Sequence, residues 1–188
     1  MQIIKTTSRD NPVPTLAYLK ISGKIFHDCG SHDIDVCRWI AGEDPCEVYA
    51  AASSFNKDIK ALEDWDTVLI TLKFPSGVIA SIDLSRKAAY GYDQRIEVLG
   101  DKGMLQAMNR QPTTVVLSND EGVSTDPYCY SFPQRYDQTY ALEMDHFADI
   151  LSKKVDPLLS HDDARKVNII ADGAELSCQT GKPVTLKY

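Results

Sequence analysis

Within nine positions, His27 to Asp35, the chain carries two imidazoles and three carboxylates: His27, Asp28, His32, Asp33 and Asp35. They sit in the run GKIFHDCGSHDIDVCRWIAG, Gly23 to Gly42. If the chain is helical from Asp28 on, Asp28, His32, Asp35 and Trp39 share one face, because 3.6 residues make a turn. Val36 and Ile40 form a second side, with Ile34, Cys37 and Ala41 beside it, and that side reads as core-facing. Gly42 is a natural helix stop, and Pro45 follows it.

Three chemistries suit such a cluster. The first is none: a solvated polar face with Asp28 as a cap. The second is metal binding, since all five residues are ligand types. Neighbours at i and i+1 point apart on a helix, however, and cannot simply share an ion. The third is acid–base work, with an imidazole that takes a proton and a carboxylate four residues away that orients it or binds substrate. A pair of that kind suits oxidation of an alcohol, where a base removes the hydroxyl proton as hydride leaves. Spacing alone does not choose among the three.

Composition narrows the setting. With 188 residues, 43% hydrophobic and 25% charged, the chain has enough material for a full core in a single domain. A net charge of −7, with no basic cluster, argues against a nucleic-acid or anionic-membrane partner. Five cysteines at irregular spacing, with no C-x-x-C, suit reduced thiols and a cytoplasmic location. The opening MQIIKTTSRD has no long apolar run, so no signal peptide is expected, and no stretch is apolar enough to span a bilayer. There is no G-x-G-x-x-G after a strand and no G-x-x-x-x-G-K-[ST]; Gly100 and Gly103 suit a hairpin turn instead.

The elements that must position the cluster follow from periodicity. Residues 1–22 read as a lead-in: a short strand at Ile3 to Thr7, an extended loop at Ser8 to Pro14, then Tyr18 to Ile21 leading into the motif helix of residues 23–42. Residues 45–130 read mainly as strands. Glu47 to Phe55 is β-branched and alanine-rich, and Asn56 to Asp64 is expected to be a mobile loop. Asp66 to Phe74 and Val78 to Ser85 alternate cleanly about the turn Phe74-Pro75-Ser76-Gly77, which predicts a hairpin. Tyr92 to Leu99, Met104 to Met108 and Thr113 to Leu117 are further strands. Residues 134–180 read as helices. Tyr136, Tyr140, Met144, Phe147 and Leu151 make a helical stripe expected to be core, and Ser160 caps a last helix that Gly181 and Pro183 stop. The order predicts an α+β fold: an open, mostly antiparallel sheet with helices on one face.

The run S-G-x-I-F-x-D-x-x-x-H-D-x-D, Ser22 to Asp35, resembles the signature of the glucose–fructose oxidoreductase, inositol dehydrogenase and MocA family. Lys5 to Asp10 with Pro12 and Pro14, and Tyr90 to Gly100, resemble its inositol 2-dehydrogenase branch; Phe132 to Tyr136 and Glu143 to Phe147 are also similar. The resemblance implies the family's C-terminal domain, similar in fold to the substrate domain of glyceraldehyde-3-phosphate dehydrogenase. It implies a partner Rossmann domain for NAD or NADP, which would end near the start of this chain, after the family's Glu-Lys-Pro lysine. It places Asp28 and His32 at the catalytic positions, with His32 as general base. Asp35, Arg9, Tyr90, Tyr92 and Tyr136 become candidates for substrate contact. One departure is Lys24, where the inositol branch usually has a second glycine; a long cation there either alters the pocket or snorkels outwards.

Two functions remain in view. One is the substrate-binding, catalytic half of an NAD(P)-dependent dehydrogenase acting on a polyol, myo-inositol by resemblance. The other is a non-catalytic binding or assembly module that has lost its cofactor domain. On either reading no metal is expected, this chain alone should bind no NAD or NADP, and a homodimer or homotetramer should form through the open sheet face.

Overall fold

The computed structural model describes residues 1–188. Seven strands form one sheet: β1 (Ile3–Arg9), β2 (Glu47–Ser53), β3 (Thr67–Lys73), β4 (Ile79–Ser85), β5 (Asp93–Gly100), β6 (Gly103–Ala107) and β9 (Val184–Thr185). Their order across the sheet is β6-β5-β1-β4-β3-β2-β9. Only β1 and β4 run parallel; every other pairing is antiparallel. A separate hairpin joins β7 (Val116–Asn119) to β8 (Gly122–Thr125).

Strand alternation sorts the sheet into two faces. Val68, Ile70 and Leu72 of β3 and Ala80, Ile82 and Leu84 of β4 point to one side and are buried. Two helices cover that side. Helix α3 (Gly30–Ala41) contributes Ile34 and Cys37, and α7 (His161–Thr180) contributes Val167, Ile170, Ala171 and Ala174. The opposite face carries no helix, and Tyr49, Leu69 and Ile79 stand exposed on it. The fold is thus α+β with an open, mostly antiparallel sheet, as the pattern predicts.

Helix α7 comes close to β2 at Gly173. A Cβ built there would lie 2.8 Å from Leu186 Cδ2 and 3.1 Å from Val48 Cγ1. Gly173→Val is therefore expected to overpack this contact and cost about 1–3 kcal/mol, read as a lower urea midpoint at unchanged slope. The helix itself is well terminated: Ser160 and Asp163 form a reciprocal capping box, and Gly181 closes the far end in the left-handed region.

Four local expectations change. Strand β1 runs on through Ser8 and Arg9, which were expected in a loop, because β4 and β5 pair with it to the end. The segment expected to be a mobile loop holds a short helix, α4 (Lys57–Ala61). Asn56 caps it by accepting from Asp58 N at 2.8 Å, and Ile59 anchors it in the core. The strand expected at Thr113 to Leu117 begins only at Val116. The stripe expected as core is largely uncovered: after a one-turn helix α5 (Phe132–Arg135), helix α6 (Asp137–Leu151) buries no residue, and Tyr140, Met144, Phe147 and Leu151 are exposed. Periodicity reports that a helix has an apolar side, not that this chain supplies the surface to cover it.

The motif segment is two helices. After a one-turn helix α1 (Leu16–Leu19) come α2 (Lys24–Asp28) and α3, interrupted at Cys29. Gly23 and Lys24 both take left-handed backbone angles, φ 84° and 67°, and so swing the chain into α2. Glycine takes that conformation freely, whereas Lys24 does so against steric cost. The Lys24 side chain leaves the site: its Nζ bonds Glu175 on α7 at 2.8 Å and lies 5.5 Å from the Trp65 ring centroid.

Candidate active site

Where α2 ends, the Asp28 carboxylate is gripped at both oxygens. Tyr18 Oη donates to Oδ1 at 2.6 Å, and Arg86 Nη1 donates to Oδ2. Arg86 follows β4 and is wholly buried. Its second arm, Nη2, donates to Asp64 Oδ2 at 3.0 Å. Asp64 is in turn fixed by backbone donors, Ile25 N at 3.0 Å and Trp65 N at 2.7 Å. Beside this chain of charges, Cys29 Sγ donates to Asp10 Oδ2 at 3.4 Å. Burial pushes the Asp10 carboxyl up, opposed by the thiol and by Arg86. Burial also pushes the Cys29 thiol well above its ordinary range. The hydrogen bond to Asp28 pushes the Tyr18 phenol up to about 12.

Asp28 forms part of the wall of a cavity of about 1100 Å³. The cavity lies between the lead-in loop after β1, the outer face of α3, the start of β5, and the first turns of α6 and α7. Asp28, at the end of α2, and His32 and Asp35, on α3, all line it. The His32 ring is exposed into this space, while Asp28 spends its bonds on Tyr18 and Arg86 rather than on the imidazole. Asp35 takes a 3.2 Å bond from Arg38 Nη1. Asp33 turns the other way, 1% exposed, and takes Gln94 Nε2 at 3.1 Å. No three His, Cys, Asp or Glu side chains converge to hold a metal ion. Four carboxylates, Asp10, Asp28, Asp35 and Asp163, line the cavity, and no Lys or Arg does.

Tyr92 and Tyr136 also reach the cavity, with ring centroids 5.9 Å apart at 79°. Burial pushes both phenols up. Arg9 and Tyr90 do not reach it. Ser8 faces the cavity, so strand alternation turns Arg9 to the open face of the sheet, where it pairs with Asp83 and donates to Tyr90 Oη at 3.3 Å. Tyr90 donates onward to Asp93 at 2.6 Å. Their polar groups are committed to one another, away from the cavity.

Sequence reasoning missed Tyr18, Arg86, Asp64 and Asp10. Tyr18 lies ten residues before Asp28 and Arg86 fifty-eight after it, so no local spacing links them. The one available signal was an arginine directly after a clean core strand, SIDLSR, and nothing there reveals that it is buried.

The chain is thus an α+β domain, an open sheet with helices on one face, with Asp28 and His32 on the wall of one cavity. The model of the GFO/IDH/MocA C-terminal domain matches residues 4–106, and the chain belongs to this family. It is 38% identical to the myo-inositol 2-dehydrogenase of Thermotoga maritima, over 98% of this chain and 56% of that enzyme. It is 29% identical to the scyllo-inositol 2-dehydrogenase (NAD(+)) of Bacillus subtilis, over 97% of this chain and 53% of that one. A crystal structure of a myo-inositol dehydrogenase from Corynebacterium glutamicum superposes with a TM-score of 0.92 at 35% identity, covering 100% of this chain and 56% of the other. The chain thus spans a little over half the length of the relatives it matches.

Proposed function

We propose that this chain is the substrate-binding half of an NAD(P)-dependent dehydrogenase that oxidises a secondary hydroxyl of a cyclic polyol, with myo-inositol as the first candidate. The observation that carries this reading is the placement of Asp28 and His32 together on the wall of one cavity. The cavity, about 1100 Å³, is at the upper end of the range usual for small-ligand sites and readily holds a polyol ring. The carboxylates on the wall offer acceptors to hydroxyl donors, and the nearby Arg86 and Arg38 are engaged by Asp28, Asp35 and Asp163, so no free cation is left for an anionic substrate.

The chemistry divides as follows. Asp28, gripped by Tyr18 and Arg86, offers its remaining lone pairs to a substrate hydroxyl and orients the ring. His32, exposed and with no hydrogen bond to Asp28, takes the proton of the hydroxyl being oxidised. Tyr92 and Tyr136 supply an aromatic wall. A nicotinamide, when bound, would supply the hydride acceptor; this chain has no glycine fingerprint for a dinucleotide, so the residues that hold it would come from another domain. Calorimetric titration of this chain alone with NAD should accordingly show no binding; micromolar affinity would overturn that division of labour.

The deciding experiment joins a Rossmann domain from a near relative to residue 1 and assays NAD reduction with myo-inositol. Turnover supports the reading. Polyol binding without turnover supports instead the non-catalytic module.

Assembly through the open sheet face belongs to the same proposal. Tyr49, Leu69 and Ile79 lie exposed there, on neighbouring strands. Leu69→Lys should shift the mass measured by light scattering from dimer or tetramer to monomer; an unchanged mass places the contact elsewhere.

A further inference from the structure

We propose that Arg86 is the positioning residue for Asp28: anchored to Asp64, it holds the Asp28 carboxylate against the cavity wall in the orientation that receives substrate. The proposal rests on the reading of Asp28 as a substrate-binding carboxylate, but its first test does not.

Three observations carry it. Arg86 is wholly buried, so its own donors are shielded from water. Its two arms diverge, one to Asp28 and one to Asp64, whose side chain is 1% exposed and held by two backbone N–H groups. The guanidinium is thus a rigid spacer between a carboxylate tied to the backbone and one at the cavity. A planar fork suits this task, because its donors point in fixed directions. The Asp28 carboxylate, unlike that of Asp64, takes no bond from a backbone N–H. What remains is Tyr18, itself exposed and on a one-turn helix. Of the two groups that grip Asp28, only Arg86 is anchored in the core.

Tyr18 makes the arrangement measurable in this chain alone. Its phenol is raised to about 12, chiefly by the bond to Asp28, while Arg86 pulls the other way. Two outcomes for an uncharged residue at position 86 therefore have opposite signs. If Arg86 holds Asp28 in place, its loss lets the carboxylate leave and Tyr18 falls back towards the ordinary tyrosine value of about 10. If Asp28 stays put without it, Tyr18 loses a nearby cation and rises further.

The test is Arg86→Met combined with Asp64→Asn, which removes both halves of the buried pair and so leaves no orphan charge at position 64. Tyr18 is followed by its ring-carbon NMR shift, with a melting curve to confirm folding. We expect Tyr18 to begin ionising by about pH 10. An unchanged or raised titration overturns the proposal. Arg86→Lys with Asp64→Asn restores a cation for Asp28 and should bring Tyr18 back towards its native value. If Met does not fold, Arg86→Gln with Asp64→Asn, polar but too short to reach Asp28, is read the same way.

In the two-domain form, the Arg86→Met, Asp64→Asn protein should lose turnover to about the extent that Asp28→Asn does, and adding Asp28→Asn should cost nothing more. Additive losses would mean that Arg86 acts on something other than Asp28 and would also overturn the proposal. If Asp28→Asn and His32→Ala are both harmless, the polyol reading fails while the Tyr18 result stands.

Discussion

On the proposed reading, His32→Ala in the two-domain form should lower polyol-dependent NAD reduction by about two to four orders of magnitude, the usual contribution of a positioned base. The loss should fall on turnover rather than on KM, because a general base would act on a proton that moves only as the alcohol is oxidised. His32 stands on the outer face of α3, exposed into the cavity and not hydrogen-bonded to Asp28, so its removal leaves no buried group unpaired and no cavity in the core. The melting temperature should therefore stay close to that of the parent, which separates lost chemistry from lost fold. Asp28→Asn should also be damaging, since it keeps the shape but drops the charge that Tyr18 and Arg86 hold at the wall. Asp33→Asn makes the internal contrast. It lies next to His32 in sequence but turns inward to Gln94 and does not line the cavity. Activity unaffected by His32→Ala would return the cluster to an ordinary polar helix face.

Arg86→Met alone should be the most destabilising single change near the site, by about 3–5 kcal/mol. The methionine fills most of the volume, so the cost is electrostatic. Asp64 keeps its backbone bonds but loses the only cation paired with it, in a place where its side chain is 1% exposed. Asp28 loses its partner at 12% exposure. A buried ion pair adds little against a well-packed apolar substitute, but half of one is expensive, because a charge is then left in a poor dielectric. Urea unfolding measures the effect. Adding Asp64→Asn should recover much of the loss, since asparagine keeps the oxygen that accepts from Ile25 and Trp65. A loss below about 1 kcal/mol for Arg86→Met, the level of an exposed pair, would show that water reaches these charges.

Much of the architecture was legible in the sequence, for a physical reason. Alternation in Thr67–Lys73 and Ile79–Ser85 is a local property, and the two strands are joined by a tight turn, so pattern, register and partner follow from adjacent residues. The face of α3 that carries His32 and Asp35, and the inward turn of Asp33, follow equally from 3.6 residues per turn. The capping box at Ser160 and the stop at Gly181 are local as well.

Tertiary structure alone decided the rest. Arg9 was an open candidate until pairing of β1 with both β4 and β5 extended the strand through it, and alternation then turned it to the open face. The stripe on α6 had the right period for a core, but whether it is covered depends on what else is folded beside it. The state of Asp28 depends on a tyrosine ten residues before it and an arginine fifty-eight after it, brought together only when β4 takes its place in the sheet beside α2 and α3. What the sequence by itself determined is which side chains share an element's face. Which charge meets which across the core is set by long-range packing, and only the folded chain shows it.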